Sequence, residues 1–171
     1  MRWTDVKEIE RQFLCRGVDG TVLDGADGVV RIRQGYLTSG EPAVRVRRKN
    51  DAWVLTVKTG GGLVREEVEV DVDPESGLAL MEMAGESRLE KTRYLIGPWE
   101  LDVFEGKLQG LIVLELELPA EDAPTPPFPQ GIDVIRDVTG TAEYRNQVLA
   151  AMPAAEARAL VDRLYGPGGP E

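Results

Sequence analysis

The chain has 171 residues, 42% of them hydrophobic and 29% charged, which is enough to bury a core in one ordinary domain. Its formal net charge of −10 argues against a nucleic-acid backbone as partner, while leaving room for a small anionic ligand held by a local cluster of bases. With no histidine, the Ser-His-Asp, Cys-His and imidazole-base mechanisms are excluded, and a bound metal would be a hard, oxygen-ligated cation such as Mg2+ or Mn2+.

Strand patterns fill the first 118 residues. Strands are predicted near Glu8–Leu14, Val29–Leu37, Ala43–Lys49, Trp53–Lys58, Leu63–Val72, Ser87–Ile96, Trp99–Glu105 and Leu111–Leu118. Turn residues separate them: Asp27-Gly28, Gly40 with Pro42, Asn50-Asp51, Gly60 to Gly62, Gly97-Pro98 and Gly106. Such short connections favour antiparallel pairing. Helices are predicted over Pro74–Ala84, with Gly77 inside, over Glu143–Met152, and from Pro153 with Leu160, Val161 and Leu164 on one stripe. Between Pro119 and Gly131 a proline-rich connection reads as irregular. We expect a single domain over 1–165 and a loose tail over 166–171.

No apolar run approaches the ~20 residues of a membrane helix. The first ten residues carry Arg2, Asp5, Lys7, Glu8 and Glu10 with no apolar stretch, unlike a secretory signal. Cys15 is the single cysteine, so an internal disulfide is excluded. These features point to the cytoplasm, with no membrane partner; oligomerisation stays open.

The strands have two unlike faces. Glu8, Glu10 and Gln12 oppose Ile9 and Phe13; Arg45 and Arg47 oppose Val44 and Val46. Glu67, Glu69 and Asp71 oppose Val68, Val70 and Val72; Lys91 and Arg93 oppose Tyr94 and Ile96. Glu100 and Asp102 oppose Leu101 and Val103; Glu115 and Glu117 oppose Leu114 and Leu116. One reading is a sheet with a solvated face. Against it, like charges at i and i+2 sit ~6.7 Å apart, which costs roughly 2 kcal/mol per pair at an effective dielectric near 20. The bases also lie on different strands from most of the acids. Closing eight strands with the charged faces inward gives a tunnel that must be wet, internally paired or occupied. A cationic wall beside surplus carboxylates suits a polyanion carrying divalent metal. The apolar faces then turn outward, partly covered by helices.

These residues resemble the CYTH superfamily, the triphosphate tunnel metalloenzymes. Glu8-Ile9-Glu10-Arg11-Gln12 is similar to the opening Glu-x-Glu-x-Lys signature. Val44-Arg45-Val46-Arg47, Leu55-Thr56-Val57-Lys58, Glu67-Val68-Glu69-Val70-Asp71, Glu90-Lys91-Thr92-Arg93, Trp99-Glu100-Leu101-Asp102 and Glu115-Leu116-Glu117 follow in the family's order. Val138-Thr139-Gly140, then Tyr144, Asn146, Leu149 and Ala150, extend the match. The resemblance covers about Glu8 to Ala150 and is nearest the bacterial branch that hydrolyses inorganic tripolyphosphate.

The resemblance implies a closed eight-stranded antiparallel β tunnel, mainly β, with helices outside. It implies Arg45, Arg47, Lys58, Lys91 and Arg93 as phosphate-binding cations, with Gln12 and Arg33 beside them. Glu8, Glu10, Glu115, Glu117 and Asp71 would hold Mg2+ or Mn2+. Glu67, Glu69, Asp102 and Lys91 would serve the chemistry. Gln12 stands where the signature has lysine, and Asp71 where a glutamate is usual. Gln12 motivates an alternative, in which the tunnel is a receptor for a nucleotide or polyphosphate without turnover. Arg31 and Arg33 share a face that either joins the cationic wall or is solvated. Gly60-Gly61-Gly62 reads as a hairpin turn because no Lys-Ser/Thr follows.

Overall fold

The computed structural model describes residues 6–59 and 64–166, the side chains of 6–8 and 64–65 excepted. Nine strands form one antiparallel sheet: β1 (Val6–Val18), β2 (Gly28–Tyr36), β3 (Ala43–Lys49), β4 (Ala52–Thr59), β5 (Val64–Val72), β6 (Arg88–Ile96), β7 (Trp99–Phe104), β8 (Ile112–Glu117) and β9 (Ile132–Asp137). Their order is β5-β4-β3-β2-β6-β7-β8-β1-β9, with a further pairing between β5 and β1. Among the described residues four α-helices accompany them, α1 (Gly20–Asp24), α2 (Pro74–Met83), α3 (Asn146–Ala151) and α4 (Ala154–Tyr165), with short 3-10 helices at Gly106–Leu108 and Ala142–Tyr144.

The predicted strands all form, and β9 is additional, so the sheet has nine strands and not eight. β1 accommodates this by its length of 13 residues. Val6–Ile9 pair with β5, Glu10–Cys15 with β8, and Phe13–Val18 with β9. Register shifts at Leu14/Cys15 and Cys15/Gly17 interrupt the β9 ladder, as bulges do. The sequence signal for β9 is weak because Ile132, Val134 and Ile135 break strict alternation, and a proline-rich stretch precedes them.

Three apolar clusters flank the sheet. On the face opposite the charges, Ile9, Phe13, Cys15, Trp99, Leu101, Leu114, Leu116 and Leu118 pack together. The proline-rich connection covers part of it: Phe128 lies 5.0 Å from Phe13 and 5.3 Å from Trp99, ring to ring, and Trp99 Nε1 donates to Pro127 O at 3.2 Å. α2 covers Val46 and Trp53 through Met81. Asp73 caps α2 by accepting from Ser76 N at 2.9 Å, and Pro74 occupies its first turn. Gly77 is required there, since a Cβ would sit 2.4 Å from Trp53 Cδ2.

α3 and α4 depart from the expectation that helices lie outside. They pack on Leu14, Tyr36, Leu89, Phe104 and Val113. By period-two alternation these share strand faces with Gln12, Gln34, Lys91, Asp102 and Glu115. The charged face therefore turns apolar at one end, and the C-terminal helices sit on that end. Lys107 fastens α3 there by donating to Ala150 O (2.5 Å) and Met152 O (2.9 Å), orphan carbonyls at the helix end. Among the described residues no helix is long and apolar enough to cross a membrane.

Candidate functional site

The charged strand faces converge on one cavity of about 220 Å3. Its wall brings together Glu10, Gln12, Arg45, Arg47, Lys58, Glu67, Glu69, Arg93, Glu115 and Glu117, all singled out from the sequence. Pairing register explains the convergence. Lys58 lies opposite Glu67 and Thr56 opposite Glu69 across β4 and β5; Arg93 lies opposite Asp102 across β6 and β7; Gln12 lies opposite Glu115 across β1 and β8.

The cations fall into two groups. Lys58 pairs with Glu67. Arg93 is enclosed by carboxylates: its Nε and Nη2 each lie 2.7 Å from Asp102, and it also pairs with Glu115 and Glu100. Burial alone would lower the Arg93 pKa, but Glu115 and Asp102 reverse that and raise it. By contrast, Arg45 and Arg47 are more than nine-tenths buried and only lightly engaged. Arg45 Nη2 stands 4.0 Å from Glu67 and 3.9 Å from Glu69, and its buried Nε has no hydrogen-bond partner among the described residues. Arg47 donates Nε to Gln34 Oε1 at 2.9 Å. Burial, then the neighbouring Arg45 charge, pushes the Arg47 pKa down to about 10. A guanidinium in that state is stabilised by an anion.

Beneath the wall, Lys91 and Asp102 form a pair whose side chains are 0% exposed. Lys91 Nζ also lies 5.2 Å from the Phe104 ring centroid and 3.4 Å from Asn146 Oδ1. Burial lowers the Lys91 pKa against the pull of Asp102. Burial would raise Asp102, yet Lys91 and Arg93 hold it at about 2. Neither residue is among those lining the cavity; Asp102 holds Arg93 in position from below.

On the acidic side, Gln12 Nε2 donates to Glu10 Oε1 at 2.9 Å and to Glu115 Oε1 at 3.1 Å, so two carboxylates meet at one amide. Glu69 accepts from Thr56 Oγ1 at 3.0 Å. Burial opposes its ionisation, but a hydrogen bond with Glu67 and the Lys49 charge, among others, hold it below the usual carboxylate range. Burial raises the Glu100 pKa. Among the described residues, no three acidic or thiol side chains group closely enough to hold a metal by themselves.

Besides Lys91 and Asp102, two further predicted residues lie off the cavity wall. Arg33 faces outward and pairs with Glu90 at 2.9 Å, because Gln34 and Ile32 take the inward positions of β2. Asp71 is exposed and off the cavity wall, although it shares a strand face with Glu69. The Glu8 side chain lies outside the described residues. Cys15 is fully buried with its thiol pushed up to about 12 by burial, which suits packing and not nucleophilic attack. Sequence reasoning missed Lys49, which continues the Arg45, Arg47 face at i+4 and lines the cavity. It also missed Gln34, whose amide links Arg47 to the Tyr36 hydroxyl, donating to it at 3.1 Å. Arg145, Asn146 and Gln147 reach the wall from the start of α3, where no strand periodicity marks them.

An antiparallel sheet that gathers buried arginines and ionised carboxylates around a small cavity defines a polyanion-binding protein. No family model matches the chain. The chain is 36% identical over 156 residues to the inorganic triphosphatase of Nitrosomonas europaea, covering 84% of this chain and 96% of the relative. It is 37% identical over 154 residues to the inorganic triphosphatase of Acetivibrio thermocellus, covering 86% and 95% respectively. A crystal structure of an inorganic triphosphatase superposes with a TM-score of 0.62 at 32% identity, covering 86% of this chain and 97% of that one. The chain belongs to the inorganic triphosphatase family.

Proposed function

We propose that the protein is a divalent-metal-dependent triphosphatase that hydrolyses inorganic tripolyphosphate inside a β tunnel. The observation that carries this reading is the meeting of Arg45, Arg47, Lys58 and Arg93 with Glu10 and Glu115 around one cavity. The pairing of β1 with β8 along Glu10–Cys15 and with β5 along Val6–Ile9 supports closure of eight strands around it, β9 being appended. The cavity volume of about 220 Å3 is below the ~300–1,000 Å3 typical of pockets for drug-sized ligands. That favours a compact inorganic chain over a nucleotide.

The donor set fits Mg2+ or Mn2+. Glu10 and Glu115 already direct carboxylate oxygens to the Gln12 amide, and Mg2+ is commonly held by one or two carboxylates together with substrate phosphates. Glu117 lies beside them, opposite Glu10 in the register. When bound, the metal supplies charge neutralisation on the phosphate oxygens and a lowered pKa for a coordinated water. The remaining work belongs to the side chains. Arg45 and Arg47 bind phosphate oxygens with donors that the protein leaves unengaged. Arg93, immobilised by Asp102, Glu100 and Glu115, presents its charge to the transferring phosphoryl group. Glu69, an ionised carboxylate on the wall, accepts a hydrogen bond from the attacking water and orients it. Water adds to a terminal phosphorus, the bridging P–O bond breaks, and diphosphate and orthophosphate leave. A reducing, cytoplasmic setting fits the single cysteine, and the net charge of −10 disfavours a nucleic-acid partner.

The test is phosphate release from tripolyphosphate, ATP and thiamine triphosphate across Mg2+ and Mn2+ titrations. Metal-dependent release from tripolyphosphate is expected. Saturable binding without turnover would instead assign the cavity to a receptor.

A further inference from the structure

Among the described residues, the cavity cations other than Arg145 come from strands, and Lys58 and Arg93 among them are matched by carboxylates. Arg145 differs on both counts. It precedes α3, with its carbonyl accepting from Leu149 N at 3.0 Å. Its side chain lines the cavity, and its buried Nε has no hydrogen-bond partner among the described residues. It shares that condition with Arg45, whose guanidinium also reaches the cavity with a buried, unmatched Nε.

The segment that carries Arg145 is built to hold still. Tyr144, just before it, is buried in the α3–α4 cluster and accepts from Arg136 Nη2 at 3.1 Å. Asn146, just after it, accepts from buried Lys91 at 3.4 Å. Gln147 donates to Thr38 O at 2.9 Å and Gly40 O at 3.2 Å, which ties the start of α3 to the β2–β3 connection. Each neighbour is thus fixed by a partner, while the arginine between them faces the cavity. A guanidinium's donor fork matches phosphate oxygens, and a side chain with a pinned backbone loses little freedom on engaging them.

We propose that Arg145 is a phosphate-contacting residue that binds the end of the polyphosphate chain lying against α3. This rests on the triphosphatase reading of the same cavity. Unlike the strand cations, Arg145 arrives from the C-terminal helical unit, so α3 is part of the binding site as well as of the core.

The test compares wild type, Arg145→Ala and Arg145→Lys. Calorimetry measures tripolyphosphate binding without added metal, steady-state assays give KM and kcat, and thermal melting confirms that each variant folds. Loss of one charge-assisted hydrogen-bonded contact is expected to weaken binding by about ten- to hundred-fold in Arg145→Ala. KM should rise with it, while kcat changes much less. Arg145→Lys should recover part of the affinity, since it keeps the charge and loses the fork. If the wild type binds tripolyphosphate and folded Arg145→Ala binds it equally well with an unaltered KM, the role of Arg145 is overturned and the triphosphatase reading stands. If Arg145→Ala does not fold, Arg145→Lys decides: wild-type affinity and KM in that variant overturn a fork contact. Failure of the wild type to bind tripolyphosphate overturns both readings.

Discussion

Replacing Asp102 by alanine perturbs the most deeply buried ionic contact of the site. Asp102 and Lys91 are fully buried side by side, and Asp102 also holds Arg93 at 2.7 Å through two nitrogens. Arg93 keeps Glu100 and Glu115 after the substitution; Lys91 keeps only Asn146 among the hydrogen-bond partners described, at 3.4 Å. Removing one member of a buried pair costs about 3–5 kcal/mol, because the other charge stays buried without compensation. Lys91 already has a pKa lowered by burial and loses the pull of Asp102 in the variant, which eases release of its proton, so the lower end of that range is expected. In a protein of this size that corresponds to a fall in Tm of roughly 6–12 °C.

The pH dependence has a definite sign. In Asp102→Ala, unfolded Lys91 binds more protons than folded Lys91 between the two pKa values, so stability rises with pH there. The deficit relative to wild type should therefore narrow toward pH 10. Wild-type Asp102, held at about 2, contributes stability that is present above pH ~4 and lost as the pH falls through about 2. Urea denaturation at several pH values measures both trends. The double variant Lys91→Met with Asp102→Leu should recover most of the stability, since an apolar pair of similar volume escapes desolvation. A deficit under ~0.5 kcal/mol in Asp102→Ala at pH 7, or one that widens with pH, would refute the reasoning.

Other substitutions probe separate links. Gly77→Ala places a Cβ 2.4 Å from Trp53 Cδ2 and is expected to destabilise by about 1–3 kcal/mol through overpacking, read by chemical denaturation; unchanged stability would contradict the packing. Lys107→Met leaves the carbonyls of Ala150 and Met152 without their ammonium donor, with an expected loss of about 1–3 kcal/mol and faster amide exchange in α3. Thiol-alkylating reagents should leave phosphate release intact, because Cys15 is fully buried with its thiol at about 12; stoichiometric inactivation of the native protein would count against that. Arg47→Ala should raise the KM for tripolyphosphate about tenfold or more, whereas Arg33→Ala, paired with Glu90 on the outer side, should not change it.

Period-two alternation made the strands and the charged face of each one legible, which is why Arg45, Arg47, Lys58, Glu67, Glu69, Arg93 and Glu115 reach a common cavity as expected. Alternation does not say where along a strand the lined space ends. Asp71 has the right face and lies off the cavity wall, while Lys49 has the right face and lines it. Nor does it choose between faces when both carry bases. Arg33 and Gln34 occupy opposite sides of β2, and the inward one is the neutral amide that supports Arg47. The contribution of α3 was hidden for another reason. Arg145, Asn146 and Gln147 follow no strand period and are placed by the Tyr144 and Leu149 anchors in the far cluster, a long-range packing effect. That packing also set α3 and α4 on the apolar end of the charged face, where strand patterns alone had put helices outside.

Phosphorus NMR of tripolyphosphate incubated with the protein and Mg2+ addresses the central claim, that cations and carboxylates around one cavity hydrolyse a metal-bound polyphosphate. The account expects the internal-phosphate resonance to disappear as diphosphate and orthophosphate grow in equal amounts, with chelation of the metal or Glu115→Gln halting the change. Tripolyphosphate that stays intact with Mg2+ or Mn2+ and folded protein present would contradict it.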